Sequence, residues 1–176
     1  MAGELDRVKD FLSSALEMEQ RGHRFYLDAT EHTDSALAKE IFQILAEEEL
    51  KHMNAFQDIF QSLKAGEGDD VWLKIPLQSR ELDPIFRTLA KKYLKEIKPG
   101  ASRIPALELG MEMEQSSIKF YQERLTQAEG EKEREFLEKI IQEEQEHFQI
   151  LKDMEFYFTN PEGWFQEKER SGLDGG

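Results

Sequence analysis

The sequence predicts an all-α protein, a four-helix bundle in which a long crossover joins the second helix to the third. Three observations lead to this prediction. Apolar residues recur at steps of three and four along extended stretches, no stretch alternates as a half-buried strand does, and the two halves of the chain repeat one pattern. A chain of 176 residues is long enough to bury a core as one domain. We expect the bundle to span residues 1–160 and a C-terminal tail to span residues 161–176.

The first two helices are predicted from their apolar stripes and from the residues at their ends. Residues 4–30 and residues 35–64 each carry one continuous apolar face at helical spacing. Thr33 and Asp34 precede the second stretch and are typical of a capping region. The glycines and acidic residues of 65–70 end it.

A connection at residues 65–103 differs from the rest of the chain because it is rich in proline. Asp83 followed by Pro84 is typical of an N-cap and a first-turn proline, and it predicts a short helix that runs to about Ile97. A helix of about 30 residues is about 45 Å long. A crossover of this size can travel that length, so the third helix is expected to run parallel to the second.

The third and fourth helices are predicted at about residues 105–128 and 131–158, with Gly130 in the turn between them. Residues 160–163, Asn-Pro-Glu-Gly, stop the fourth helix. Beyond them, the aromatic residues 164–165 are expected to pack back on the bundle or against a partner chain. The glycines of the tail make it a poor candidate for a fifth helix, and we expect residues 171–176 to be disordered.

A repeated Glu-x-x-His motif interrupts two of the apolar stripes. Glu49 and His52 lie one helical turn apart on the core face of the second helix, and the same pair recurs 95 positions later on the fourth. In each half, a single glutamate on an apolar stripe precedes the motif by 30 positions. The repeated residues are Glu19, Glu49, His52, Glu114, Glu144 and His147. One such pair could arise by chance in a glutamate-rich chain, whereas two in register with the duplicated glutamates predict a shared function.

Four buried carboxylates need neutralisation, because an unpaired buried charge is costly. Bundles with one glutamate from each of two helices and Glu-x-x-His from the other two can hold two divalent cations. Four carboxylates and two such cations have no net charge. Oxygen-rich ligation with one imidazole for each metal suits Fe or Mn better than a structural zinc site. The sequence therefore predicts a centre of two metal ions, Fe or Mn, with no catalytic side chain beyond the metal centre.

Other polar residues have competing interpretations. Tyr26 and Tyr121 follow Glu19 and Glu114 by two helical turns, and they either fill the core or hydrogen-bond to a ligand carboxylate. The remaining candidates are more weakly placed. His23 is expected to be a satisfied histidine of the core or rim, His32 a solvated loop residue, and Glu48 and Glu143 surface charges that lie off the stripe.

The bulk properties exclude several functions. The net charge of −14 and the pI near 4.8 argue against nucleic acid and anionic membranes as partners. No apolar run approaches the roughly 20 residues of a membrane span, and residues 1–12 are too charged for a secretory signal. The absence of cysteine excludes disulfides, thiol catalysis and iron–sulfur ligation, and it makes the cytoplasm the default compartment.

The segments 17–26 and 45–52 resemble the ferritin-like domain of rubrerythrins, within the ferritin-like di-iron superfamily. The resemblance covers about residues 4–158. It implies a ferritin-like four-helix bundle, two Fe ions as cofactor (with Mn or Zn able to replace them) held by the six repeated Glu and His residues, and hydrogen bonds from Tyr26 and Tyr121 to those ligands. Rubrerythrins also carry a rubredoxin domain with four cysteines that supplies electrons. This chain has no cysteine, so the electron donor is expected to be a separate protein.

A second departure concerns the ligand set. Typical rubrerythrins have an additional glutamate one turn after the ligand of the third helix, where this chain has Ser117, with Gly22 at the equivalent place in the first half.

Three functions follow as hypotheses. The first is an oxidoreductase that reduces hydrogen peroxide or O₂, the second is a ferroxidase that stores or delivers iron, and the third is a bundle that uses its metal only for stability or for a partner. A homodimer is expected by resemblance.

Overall fold

The computed structural model describes residues 2–74, 77, 80–97 and 104–173. The elements are α1 (Ala2–Glu31), α2 (Ala36–Lys64), α3 (Val71–Lys74), α4 (Leu82–Tyr93), a 3₁₀ turn (Leu94–Glu96), α5 (Pro105–Gln127), α6 (Glu131–Thr159) and α7 (Pro161–Leu173). The long helices α1, α2, α5 and α6 form a four-helix bundle, and α3 and α4 lie in the crossover. The predicted fold class is confirmed. Within the described ranges, no helix is both long and apolar enough to cross a membrane.

Contacts between the long helices establish their directions. The hydroxyl of Tyr26 in α1 contacts Glu114 in α5, and that of Tyr121 in α5 contacts Glu19 in α1. Helices α1 and α5 therefore run in opposite directions. Since a short loop also makes α1 and α2 antiparallel, α2 and α5 run parallel. The crossover thus has the predicted role.

The helix ends are close to their predicted positions, with two differences in capping. The N-cap of α2 is Ser35, whose Oγ accepts from the backbone N–H of Ala38 at 3.2 Å. The prediction that Asp83 caps the crossover helix is wrong, because α4 begins at Leu82 with Glu81 as N-cap and Asp83 lies within its first turn. The carboxylate of Asp83 instead pairs with Arg87, at 2.7 Å.

The apolar core of the bundle is divided into two clusters. The first contains Tyr26, and the second contains Tyr121 and Phe56. The glutamates and histidines of the two motifs lie on the same buried faces of α2 and α6 as the residues of both clusters. Apolar packing on both sides therefore positions a polar layer in the middle of the bundle.

The segment after α6 forms the helix α7, so the prediction that the tail is a poor candidate for a short helix beyond the four of the bundle was wrong. The fourth long helix does stop at Thr159, but the Oδ1 atom of Asn160 accepts from the N–H of Gly163 at 3.0 Å, and Pro161 begins α7. Trp164 is buried, as expected, and its ring packs against the rings of Phe86 in α4 and Tyr157 in α6. Of the predicted disordered end, 171–173 are helical and 174–176 lie outside the described residues.

Candidate metal centre

Six polar side chains meet in the middle of the bundle, and all six belong to the repeated set. Each of them is at most 4% exposed. They are Glu19 from α1, Glu49 and His52 from α2, Glu114 from α5, and Glu144 and His147 from α6. The bundle therefore brings together every residue that the duplication predicts as a metal ligand.

Helical spacing explains why these side chains converge. On α2, Glu49 and His52 share the buried face with Leu45 and Phe56, both of which have no exposed surface. The second motif lies on the buried face of α6 in the same way. Because the apolar neighbours must pack inward, the carboxylate and the imidazole between them are carried into the core.

The six residues form two overlapping groups of potential ligand atoms. In each group, one atom from every member lies within 4.8 Å of the others. The first group is Glu19, Glu49, His52 and Glu144, and the second is Glu49, Glu114, Glu144 and His147. Glu49 and Glu144 belong to both groups. If two cations were bound, Glu49 and Glu144 could contribute to both sites, whereas Glu19 and His52 would contribute to one and Glu114 and His147 to the other.

Both histidines direct Nδ1 towards the carboxylates. Nδ1 of His52 lies 3.3 Å from Oε2 of Glu19 and 2.9 Å from Oε1 of Glu144. Nδ1 of His147 lies 3.1 Å from Oε1 of Glu49, and the two imidazole rings stack with centroids 5.5 Å apart. The same ring atom of each histidine is thus available to a cation, which leaves the Nε2 atoms for other contacts.

Two tyrosines cross between the halves of the repeat. The Tyr26 hydroxyl donates to Oε1 of Glu114, and the Tyr121 hydroxyl donates to Oε1 of Glu19. Both tyrosines are fully buried. Of the two interpretations of these tyrosines, the structure supports hydrogen bonding to the single glutamates, in addition to core packing. Each bond ties one single glutamate to the opposite half of the repeat.

The environment of the Glu144 carboxylate indicates whether the centre could hold a pair of cations. Among the described residues, neither carboxylate oxygen of Glu144 has a hydrogen bond of normal geometry, although Nδ1 of His52 lies in ion-pair range. Burial of an ionised carboxylate without hydrogen-bond partners is strongly unfavourable. Two cations between the shared glutamates would supply the missing partners and balance the four negative charges. The donor set therefore fits two divalent ions.

The pKa values of several residues in the centre are shifted by burial and by the neighbouring charges. Burial raises the pKa of Glu49 and Glu114 well above the usual range, and the charge of Glu144 adds to both shifts. Burial opposes protonation of His52, but the charge of Glu19 and hydrogen bonds to carboxylates raise its pKa well above the usual value. Burial lowers the pKa of His147. Cations in the centre would stabilise the ionised forms of Glu49 and Glu114 in place of these protons.

Gly22 and Ser117 occupy equivalent positions beside the centre. A Cβ atom at Gly22 would lie 2.6 Å from Oε2 of Glu49, so a side chain there would displace the carboxylate. Ser117 is buried on α5, where the resemblance would place an additional glutamate. The centre therefore has six carboxylate and imidazole side chains rather than seven.

The prediction that Glu48 and Glu143 are surface charges was wrong, because both side chains are buried. Glu143 accepts a hydrogen bond from Nε2 of His52, with the two atoms 2.8 Å apart. Glu48 pairs instead with Lys51 and with Arg80, which comes from the crossover. The only signal in the sequence was that positions 48 and 143 match across the repeat.

The remaining histidines agree with their predictions. Nδ1 of His23 lies 2.6 Å from the carbonyl oxygen of Ala46, so this half-buried side chain is satisfied at the rim of the bundle. His32 is exposed just after α1, where its Nδ1 lies 2.8 Å from the carbonyl oxygen of Asp28. Neither belongs to the two groups of potential ligands.

Comparison with known proteins gives an independent assignment. The model of the Rubrerythrin family matches residues 10–155, a range that includes all six residues of the centre. Comparisons with curated proteins and with solved structures found no match. The matched range covers most of the chain and coincides with the ferritin-like bundle. The protein therefore belongs to the rubrerythrin family.

Proposed function

We propose that this protein is a non-haem di-iron oxidoreductase that reduces hydrogen peroxide, or O₂, with electrons from a separate donor protein. The observation that carries the proposal is the pair of overlapping ligand groups that share Glu49 and Glu144. Membership of the rubrerythrin family supports iron as the metal and redox chemistry as the activity. Two bound cations would neutralise the four carboxylates and so remove the unfavourable repulsion between them.

The protein's own residues hold and orient the metal ions. Two bound ferrous ions would supply the two electrons that, with two protons, convert one hydrogen peroxide molecule to two water molecules. Glu19 and Glu114 would each hold one ion, and the tyrosine hydroxyls restrict the rotation of these carboxylates. The two apolar clusters exclude bulk water from the centre.

The test is anaerobic loading with Fe(II), followed by stopped-flow mixing with hydrogen peroxide and, separately, with O₂. We expect peroxide to oxidise the loaded protein much faster than O₂ does, and to support turnover when a reductant is supplied. Glu144→Ala should abolish the reaction. The matched control is Glu17→Ala, because Glu17 is an exposed residue of α1 that faces away from the centre. Slow oxidation of the wild-type protein by both oxidants would exclude the proposal.

A ferroxidase that stores or delivers iron is the second candidate, and two observations favour it. Ser117 leaves the centre with four carboxylates, without the additional glutamate of typical rubrerythrins. The helix α7 also follows the four helices of the bundle as a short C-terminal helix, and ferritin-type cages resemble this bundle but carry a short fifth helix. Fast oxidation by O₂ with uptake of many irons per chain, together with a large assembly in size-exclusion chromatography, would favour this function. A dimer with only two irons per chain would favour the oxidoreductase.

A further inference from the structure

The two outer carboxylates of the duplicated motifs have different partners. Glu143 precedes Glu144, and Glu48 precedes Glu49, so the two occupy equivalent positions in the repeat. Oε2 of Glu143 lies 2.8 Å from Nε2 of His52, on the side of the imidazole opposite the candidate metal centre. Within the described residues, Glu143 makes no ion pair with a lysine or an arginine. Its charge is therefore directed at His52.

Glu48 is engaged elsewhere. Its Oε1 lies 2.7 Å from Nζ of Lys51 and 3.3 Å from Nε of Arg80. Among the residues that the structure describes, Glu48 has no hydrogen bond or ion pair with His147. Arg80 belongs to the crossover, which has no counterpart in the repeat. The crossover thus breaks the equivalence of the two halves.

This difference matters for metal binding. A carboxylate on the outer nitrogen of a ligand histidine keeps the proton there, leaves the inner nitrogen free for the metal, and makes the imidazole a stronger donor. Among the residues that the structure describes, His52 has such a carboxylate and His147 does not. We propose that Glu143 is a positioning residue for His52, and that the metal position of Glu19 and His52 therefore binds divalent ions more tightly than the position of Glu114 and His147. This inference rests on the dimetal centre of the proposed function.

The test uses Mn(II), added in steps to the chelator-treated full chain and followed by electron paramagnetic resonance. The spectra separate free Mn(II), isolated bound Mn(II) and magnetically coupled pairs. We expect the first equivalent to give isolated ions and the second to give coupled pairs. In a His147→Ala background, which retains the tighter position, Mn(II) should bind more strongly than in a His52→Ala background.

A double-mutant comparison assigns the effect to Glu143. In the His147→Ala background, Glu143→Ala should weaken Mn(II) binding by about 10- to 100-fold. In the His52→Ala background the same change should alter it by less than about threefold, because the histidine that Glu143 positions is absent. Glu143→Gln retains a hydrogen-bond acceptor and should restore part of the affinity. Glu48→Ala is the matched control, with less than about threefold effect in either background.

The outcomes separate this inference from the proposed function. Coupled pairs at the first equivalent, or equal losses from Glu143→Ala and Glu48→Ala, would overturn the inequality of the two positions while leaving the dimetal centre intact. A loss in the His52→Ala background as large as that in the His147→Ala background would show that Glu143 acts only on the fold. Failure of the wild-type chain to bind Mn(II) at all would overturn both. Slow oxidation of the Fe(II)-loaded protein would exclude only the proposed redox function.

Discussion

Glu49 shows how closely single residues are fitted around the centre. Its Oε1 atom lies 3.1 Å from His147, and its Oε2 atom occupies space that only a glycine at position 22 leaves open. The sequence indicated Glu49 through the repeated motif. It showed Gly22 only as the counterpart of Ser117, because the approach of α1 to a side chain of α2 depends on how the two helices pack.

Gly22→Ala should weaken metal binding without unfolding the bundle. The added Cβ would lie 2.6 Å from Oε2 of Glu49 and would force the carboxylate to move. We expect a loss of about tenfold in Mn(II) affinity, about 1.4 kcal/mol, while the helical circular dichroism stays unchanged. Gly172→Ala is the control, because no atom lies within 4 Å of its added Cβ. Equal affinity in the two variants would show that Glu49 does not need this space.

Metal binding should depend on pH because the carboxylates must lose protons first. Burial raises the pKa of Glu49 and Glu114 well above the usual glutamate range. The metal-free protein therefore retains these protons at pH values where exposed glutamates are ionised. As the pH falls through the raised pKa, protons compete with the metal and affinity declines. Calorimetry in buffers of different ionisation enthalpy should detect proton release on Mn(II) binding near neutral pH. Affinity that does not change between about pH 5 and pH 8 would contradict this assignment.

At the level of elements, long helices were predicted well and the crossover and tail less well. The apolar stripes and terminal residues predicted α1, α2, α5 and α6 to within a few residues. The glycines at positions 163 and 172 favour a non-helical tail, but Asn160 and Pro161 supply the cap and the first residue of α7. The four-residue helix α3 is too short for any periodicity to predict.

Docking of α7 should depend on Trp164. This side chain is 1% exposed and packs edge-to-face on Phe86 of α4 and Tyr157 of α6. Trp164→Ala should lower the free energy of unfolding by about 3–5 kcal/mol and make residues after Thr159 sensitive to proteolysis. Urea denaturation and limited proteolysis measure the two effects. Gln166→Ala, an exposed position of the same helix, should change neither. If Trp164→Ala behaved like this control, α7 would not be held by its apolar contacts.

At the level of the whole molecule, the duplication explains which parts of the centre could be predicted. Both halves supply one glutamate, one Glu-x-x-His pair and one tyrosine, and the tyrosines cross to the opposite half. Repetition made these residues recognisable in the sequence. The different environments of Glu48 and Glu143 were not predictable, because they depend on Arg80 in the crossover, which lies outside the repeat.

We propose that each chain holds two metal ions between Glu49 and Glu144. An anaerobic titration of the metal-free protein with Fe(II) would measure the number of irons bound per chain. We expect two irons for the wild-type chain and for the exposed control Glu112→Ala, and a loss of tight binding in Glu49→Ala and Glu144→Ala. Binding of one iron or none to the wild-type chain, or loading unaffected by the two substitutions, would contradict it.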